Sequence, residues 1–269
     1  MRLIKGFSLC VFLFFVCIPN SPVIASLEFI TLSVDNNTLY RVSGTTLVPQ
    51  EIGYVGAYPD LWEVVPGPAG TVYIADRVDD VLVNVSLTDA SVLSTVTLDQ
   101  DLWSTRRGLC VSPEGTMYGV LPGMELRTIN PLTGQTTFLT AITGPTGSER
   151  IGDIAFATNG TLYAVGSLNN DSNQLYTLDI NSGVMSLVGA MGVSDIDSLT
   201  FGPDGFLYGA DAILGEADLY RIDPATAAVD NLGGMGVITV NGLYAIPEPL
   251  TLSLLVVGSV VLINRKNRK

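Results

Sequence analysis

The sequence of 269 residues predicts an all-β fold, a single β-propeller of five four-stranded blades, from three observations. A repeat of 45 residues runs through the central region. Alternating apolar residues, typical of half-buried strands, fill each repeat, and no helical period competes with them. The two ends of the repeat region hold complementary parts of one further repeat. Residues 26–246 are therefore expected to form the propeller domain.

Each repeat is recognised by a short turn that leads into a Tyr-containing strand. The four copies read GPAGTVYIAD, SPEGTMYGVL, ATNGTLYAVG and GPDGFLYGAD, with glycines at Gly70, Gly115, Gly160 and Gly205. Glycine adopts the positive φ of such hairpin turns without steric cost. An apolar strand precedes each turn and two more strands follow, as in LYTLD and VMSLVGAMG of the third copy. Four strands in about 45 residues match the size of a propeller blade.

The two termini are predicted to complete the fifth blade. The segment before the first repeat lacks an opening strand, but its residues 39–42 match residues 219–222 of the last repeat. The segment after the last repeat, TVNGLYAIPEP, holds an opening strand alone, and its Leu243 lies 44 residues after Leu199. A ring closed in this way has no free sheet edges at its ends. A right-handed solenoid is the alternative, and its ends would not need to complement each other.

Residues 1–25 have the features of a secretory signal peptide. Two basic residues precede an apolar stretch at 7–18, and small residues lead to a cleavage site between Ala25 and Ser26. The apolar stretch is shorter than the roughly 20 residues of a membrane span. We therefore expect export by the Sec pathway and removal of this segment.

The expected domain is strongly acidic. The whole chain has a formal net charge of −13, but 6 of its 13 basic residues lie in the two terminal segments. With 7 basic and 25 acidic residues, the central region carries about −18. Such a charge repels nucleic acid and anionic lipid, so no nucleic-acid partner is expected.

Residues 247–269 form a separate segment. Pro247, Glu248 and Pro249 stand where the next hairpin turn would begin, and an apolar run of fourteen residues follows at 250–263. Four basic residues close the chain: Arg265, Lys266, Arg268 and Lys269. The run is short for a membrane span, so snorkelling of the basic side chains must cover the difference. Because basic clusters lie on the cytoplasmic side, the domain is expected outside, with its tail in the inner membrane.

This tail resembles the PEP-CTERM sorting signal, which combines a Pro-Glu-Pro motif, a short hydrophobic helix and an Arg-rich end. The resemblance implies that an exosortase, a membrane enzyme similar to cysteine transpeptidases, recognises residues 247–249 and cleaves nearby. It also implies a Gram-negative bacterium with an exopolysaccharide or biofilm matrix. The protein would be anchored transiently in the inner membrane and would then reach the cell surface or the extracellular space. A plain tail anchor with accidental prolines is the alternative.

The blade repeats resemble those of exported PEP-CTERM proteins of the type F-x-PDG-x-LY…LY-x-ID-x-x-TG. The matching segments are FGPDGFLYGAD and LYRIDPATAA. Ala227 departs from this pattern because it stands where the pattern has the turn glycine. The resemblance supports the fold and says little about activity.

No residue pattern points to catalysis, and no catalytic residue is expected. The chain contains no histidine, which excludes Ser-His-Asp and Cys-His catalysis and a His-ligated zinc site. Cys110 stands in an apolar strand, where a buried, inert thiol is expected rather than a nucleophile. The glycine patterns that bind phosphates or dinucleotides do not occur.

Carboxylate and amide oxygens are the remaining candidates for a binding site. They lie in ADRVDD, NNDSN and SDID and comprise Asp76, Asp79, Asp80, Asn169, Asp171, Asn173, Asp195 and Asp197. Oxygen ligands at alternate positions can wrap Ca²⁺, but no Glu completes a calcium loop, and Asx residues favour turns by themselves. Asp76 and Asp211 end equivalent second strands and would face the channel or a disc face. We expect no metal and no cofactor, with calcium the one candidate left open.

Three functions fit these features. The first is a non-enzymatic, exported propeller that binds polysaccharide or protein through one disc face. The second is a carboxylate-based hydrolase or lyase that acts on matrix polysaccharide in the channel, and the third is a purely structural matrix component. An enzyme would need acids that converge on the channel with raised pKa values. The first function is favoured, and the observation that discriminates is whether acidic and aromatic residues gather at one channel mouth.

Overall fold

The computed structural model describes residues 27–68, 70–101, 108–144, 149–168, 173–211 and 215–247. These residues form five four-stranded antiparallel sheets, each of which is one blade of a closed ring. The predicted five-bladed β-propeller is therefore confirmed. Within these ranges no helix has the length and apolar character of a membrane span.

Within the described ranges the strands follow one another along the chain without other regular elements between them. The first three are β1 (Leu27–Ser33), β2 (Thr38–Ser43) and β3 (Pro49–Tyr54). Blade 1 contains β4 (Leu61–Pro66), β5 (Thr71–Asp76), β6 (Val81–Ser86) and β7 (Val92–Thr97). Blade 2 contains β8 (Leu109–Val111), β9 (Met117–Leu121), β10 (Glu125–Ile129) and β11 (Thr136–Ala141). Blade 3 contains β12 (Glu149–Phe156), β13 (Leu162–Leu168), β14 (Asn173–Leu178) and β15 (Met185–Ala190). Blade 4 contains β16 (Ile196–Phe201), β17 (Leu207–Asp211), β18 (Glu216–Ile222) and β19 (Val229–Ile238), and the last strand is β20 (Val240–Pro247).

The first strand of each blade lies next to the ring axis. The inner strands β4, β8, β12, β16 and β20 contact one another in a closed circle. Their residues are almost all buried, because both faces of each strand pack against neighbouring blades. The last strand of a blade is exposed along most of its length, as β7 is. The hydrophobic core therefore lies between the blades, in apolar layers that join one sheet to the next.

The repeated glycines lie where the backbone requires them. Their φ angles lie between 79° and 86°, in the left-handed region. A Cβ added at any of them would meet nothing within 4 Å, so conformation rather than space selects glycine here. Ala227 keeps the left-handed backbone of its glycine counterparts Gly134 and Gly183, with φ of 61° against 74° and 73°. The fold thus tolerates this departure from the repeat at the expense of local strain.

The two termini jointly build the fifth blade, whose strand order is β20-β1-β2-β3. β1 and β20 pair in antiparallel register from Leu27 opposite Pro247 to Thr31 opposite Leu243. The predicted closure is confirmed and the solenoid alternative is excluded. The sheet extends to Pro247, one residue beyond the expected end of the domain. The closing blade also packs on blade 4, where the rings of Phe29 and Tyr208 lie 5.1 Å apart.

Deleting residues 243–246 should open the ring, because β1 would lose its inner partner. We expect the midpoint of thermal unfolding, followed by circular dichroism, to fall by more than about 10 °C. Thr45→Ala, an exposed substitution near the same blade, should change it by less than about 2 °C. An unchanged melting temperature in the deletion variant would show that closure does not stabilise the disc.

Candidate functional site

Five equivalent positions of the inner strands meet around the ring axis. They recur at intervals of 45, 45, 45 and 44 residues and are Glu63, Gly108, Asp153, Ser198 and Gly242. We call this set the axial belt. Its two carboxyl groups are fully buried, with Glu63 1% and Asp153 0% exposed. Neither was among the candidates expected from the sequence, because the repeat places a different kind of residue at almost every belt position.

β-Bulges lie at or directly beside three of the belt positions. Strand register shifts between Trp62 and Val64 in β4, and comparable shifts occur at the belt level in β12 and β16. Glu63 is the extra residue of its bulge and has a φ of 64°. This left-handed conformation is uncommon for a residue with a side chain and costs about 1–2 kcal/mol. Bulges of this kind re-aim side chains and are frequent beside functional sites.

Asp153 and Ser198 each accept a hydrogen bond from the backbone of the next blade, and Asp153 also accepts one within its own strand. Leu199 N donates to Asp153 Oδ2, and Ile154 N donates to Asp153 Oδ1 at 2.6 Å. Gly242 N donates to Ser198 Oγ at 2.8 Å. Neighbouring inner strands share no hydrogen-bonded ladder. The belt therefore supplies direct polar links between blades at the centre of the disc.

The two glycines of the belt leave room for the carboxyl groups. A Cβ on Gly108 would overlap Asp153 Oδ1, and a Cβ on Gly242 would overlap the backbone of Glu63 and Val64. Gly242 also has a φ of 87°, in the left-handed region. The belt therefore depends on glycine at positions that face a carboxyl residue.

Burial raises the pKa values of both belt carboxyls. The pKa of Glu63 rises from 4.5 to about 8, because burial and the nearby charge of Asp197 outweigh its hydrogen bonds to Asp153, Val64 N and Leu109 N. The pKa of Asp153 lies well above its ordinary value, first through burial and then through the charge of Glu63. Acids with raised pKa values thus converge on the channel.

An axial cavity of about 120 Å³ lies beside the belt. Its walls come from all five inner strands, in each case from the half that follows the belt. It therefore faces the side of the disc on which the repeated hairpin turns lie. The lining is mostly apolar, and neither Glu63 nor Asp153 belongs to it. The first wall layer, which includes Leu109, Leu199 and Leu243, separates the cavity from the carboxyl groups.

Aromatic side chains surround this mouth of the channel. Phe156, Phe201 and Tyr244 line the cavity. The ring of Tyr118 lies 5.0 Å from that of Phe156, and the ring of Tyr163 lies 5.4 Å from that of Phe201. All five are half-buried, and we call them the aromatic collar. Aromatic residues therefore gather at one channel mouth, whereas the acids lie deeper and closed off from it.

Asp76 and Asp211 have structural roles at the opposite face. Asp76 Oδ1 accepts hydrogen bonds from the backbone N–H groups of Val78 and Asp79 at 2.9 Å each, which closes the β5–β6 turn. Asp211 accepts from Asp218 N at 2.8 Å and from Tyr220 Oη at 3.0 Å. Both carboxyls are buried and do not line the cavity.

The calcium candidate receives no support from the part of the chain that the structure describes. Asn173 is buried and accepts from Ile196 N of the next blade at 2.9 Å. Asn169 and Asp171 lie outside the described residues. Of the remaining candidates, Asp195 has a φ of 61°, and Asp197 lies near the belt. Within the described ranges no group of three or more His, Cys, Asp or Glu side chains could hold a metal ion.

Cys110 is a buried, free thiol, as expected. Burial raises the pKa of this thiol, and the nearby charges of Asp153 and Glu63 raise it further. The predicted cleavage site at Ala25 and Ser26 lies outside the described residues. So do Glu248, Pro249 and the basic residues of the tail, and of the sorting motif only Pro247 is described, at the end of β20.

Comparison with known proteins identifies the fold. No protein-family model and no curated protein matches the chain. Among solved structures, TolB from Acinetobacter baumannii is similar, with a TM-score of 0.50 and 13% identity over 83% of this chain and 67% of that one. A protein of unknown function from Bacteroides caccae has a TM-score of 0.52 and 13% identity over 83% and 100%. A chain of the nidogen/laminin complex has a TM-score of 0.52 and 14% identity over 81% and 98%. At these identities the likeness shows the fold alone.

Ser198→Ala tests the role of the belt. The substitution leaves Gly242 N buried without its hydrogen-bond acceptor, which costs about 1–3 kcal/mol. We expect the melting temperature to fall by on the order of 5 °C for a domain of this size. Ser94→Ala removes the same hydroxyl from an exposed position on β7 and should leave the melting temperature unchanged. Equal effects of the two substitutions would contradict a stabilising belt.

Proposed function

We propose that this chain is an exported, non-enzymatic propeller of the cell surface or extracellular matrix, which binds a polysaccharide or protein at the aromatic collar. The collar is the observation that carries this proposal. It places five half-buried rings around an apolar cavity that opens on one face of the disc. Aromatic faces provide large apolar contact area, and they stack well on the C–H faces of sugar rings.

The charge of the protein narrows the choice of ligand. Exposed acidic residues, including Glu114 and Asp204, lie in the hairpin turns on the collar side. The central region as a whole is strongly acidic. An anionic polysaccharide would be repelled by this field, so a neutral polysaccharide is preferred over an anionic one.

The C-terminal segment supports the proposal of export and sorting. Its Pro-Glu-Pro motif, apolar run and basic end resemble a sorting signal, with an exosortase as the processing partner. The inner membrane would hold the segment before processing. The described domain ends at Pro247, directly before the rest of this motif.

The hydrogen bonding and burial of Glu63 and Asp153 fit a non-enzymatic role. Asp153 uses both oxygens to accept backbone hydrogen bonds, and a wall of apolar side chains covers the pair. The second candidate, a hydrolase or lyase, is favoured by one observation, which is that Glu63 and Asp153 meet at the axis with raised pKa values. In that case the wall would have to open before a sugar reached the acids.

Replacing the collar aromatics tests the binding proposal. Phe201→Ala and Tyr244→Ala should each weaken binding of a neutral polysaccharide about tenfold, because each removes stacking area worth about 1.4 kcal/mol. Affinity electrophoresis in gels that contain the polysaccharide measures the effect. Tyr54→Ala is the matched control, since this ring is exposed on the outer strand β3. If all three variants bind the polysaccharide as tightly as the unchanged protein does, the collar is not the binding site.

The same mixtures of protein and polysaccharide also test whether the protein is a hydrolase or lyase. Shortening of the polysaccharide by the unchanged protein, abolished in Glu63→Gln and Asp153→Asn, would establish hydrolase or lyase activity and overturn the non-enzymatic proposal. Binding without shortening supports the proposal.

Removing residues 248–269 tests the sorting proposal. The deletion begins after the last residue of β20, so the disc should keep its melting temperature within about 2 °C. In cells the truncated protein should leave the membrane fraction, whereas the full chain should sediment with it before processing. Loss of folding would place part of the tail in the disc, and persistent membrane association would contradict the role of the tail as anchor.

A further inference from the structure

The two belt carboxyls approach each other across the ring axis. β4 and β12 belong to blades 1 and 3, which are not neighbours, so a contact between their side chains must cross the channel. The carboxyl groups of Glu63 and Asp153 lie within hydrogen-bonding contact. Glu63 Oε1 accepts from Val64 N at 3.3 Å. Glu63 Oε2 is buried and receives no hydrogen bond from any N–H or O–H group of the described residues.

One proton held between the two carboxyl groups accounts for this geometry. Two carboxylates accept hydrogen bonds and donate none, so they repel each other at contact distance. One proton between them turns the contact into a strong O–H···O⁻ bond and gives Glu63 Oε2 its missing partner. It also removes one of the two charges from the buried centre of the disc.

Leu109 N approaches the Glu63 carboxyl group, but no N–H or O–H group of the described residues has hydrogen-bonding geometry to Oε2. Cys110 faces the carboxyl pair from β8, and Asp197 faces it from β16 and adds negative charge. β20 contributes Gly242 and the uncharged Asn241, whose Oδ1 is itself buried without a donor. The described ion pairs lie elsewhere: Arg41 with Glu28, Arg77 with Asp60 and Arg127 with Glu125.

We propose that Glu63 and Asp153 share one proton across the axis and form a pH-dependent clasp between blades 1 and 3. The clasp holds the centre of the disc while the proton is bound. When the proton is lost, two buried carboxylates face each other and the blades are pushed apart. The inference concerns the stability of the disc and does not depend on the ligand bound at the collar.

The direction of the pH dependence follows from the pKa of Glu63. Its value is about 8 in the folded protein, against an ordinary 4.5 for the unfolded chain. The folded protein therefore binds more protons than the unfolded chain between these two pH values. The contribution of Glu63 is complete below about pH 4.5, declines as the pH rises, and is lost above about pH 8. The pKa of Asp153 is also raised, by burial and by the charge of Glu63, so the pair loses its last proton only at a higher pH.

Thermal unfolding of the full chain in detergent between pH 5 and pH 9 tests the clasp. The melting temperature should fall across this interval by on the order of 5 °C or more. Glu63→Gln should abolish most of this fall, because the amide N–H donates to Asp153 at every pH. Glu114→Gln, at an exposed turn, is the matched control and should retain the full pH dependence. A fall of equal size in Glu63→Gln would overturn the proposal.

A second measurement keeps the test independent of the variant. Infrared spectra of the unchanged protein should show the band of a protonated carboxyl at pH 7, which weakens as the pH rises above about 8. Absence of this band at pH 7 would overturn the shared proton. Calcium that raised the melting temperature of the unchanged protein at pH 9, but not that of Glu63→Gln, would identify the pair as a cation site and would also overturn it.

Discussion

The pairing of β1 with β20 is the constraint on which the rest of the structure depends. Each blade is hydrogen-bonded within itself, and neighbouring blades are joined by packing. A ring built in this way stays closed only if the first and last blades cannot separate. Because strands from both termini lie in one sheet, backbone hydrogen bonds between β1 and β20 hold the first and last parts of the ring together. The single cysteine of the described residues is free and buried, so these hydrogen bonds close the ring without a disulfide.

Ring closure also brings the polar groups of the axial belt together. Once five inner strands surround one axis, a residue at the same level of each repeat must lie near its four counterparts. Large side chains at all five positions would not fit, and Gly108 and Gly242 provide the required space. Asp153 and Ser198 then link β12 to β16 and β16 to β20, because each accepts a hydrogen bond from a backbone N–H group of the following blade. Buried polar networks of this kind favour one arrangement of the blades because partly satisfied alternatives are costly.

The disc thereby separates two kinds of chemistry along its axis. The carboxyl groups lie in a closed layer, where they contact one another and the backbone. The aromatic collar lies at the open mouth, where its rings are available to a ligand. β20 ends on the collar side, so the chain that follows Pro247 leaves the disc from the face that carries the collar. On the proposed function, the tail and the binding surface would therefore share one side of the molecule.

The sequence by itself determined the architecture, because the blade repeat is local. A turn glycine, a Tyr-containing strand and a fixed interval are visible in each copy, and Leu243 could be matched to Leu199 by counting residues. The buried state of Cys110 followed from its apolar strand for the same reason. The axial belt could not be found in this way. Glu63 and Asp153 are 90 residues apart, and glycine or serine occupies the equivalent positions.

Only the tertiary structure decided which side chains meet at the axis, because that contact is made by ring closure between blades distant in sequence. The sequence left open whether Asp76 and Asp211 face the channel or a disc face, and antiparallel pairing places the ends of their strands at the face opposite the collar. Bulges, which no repeat pattern reveals, lie at or beside three belt positions, and Glu63 is itself the extra residue of one. The pKa of Glu63 likewise depends on burial by neighbouring blades rather than on residues near it in the chain.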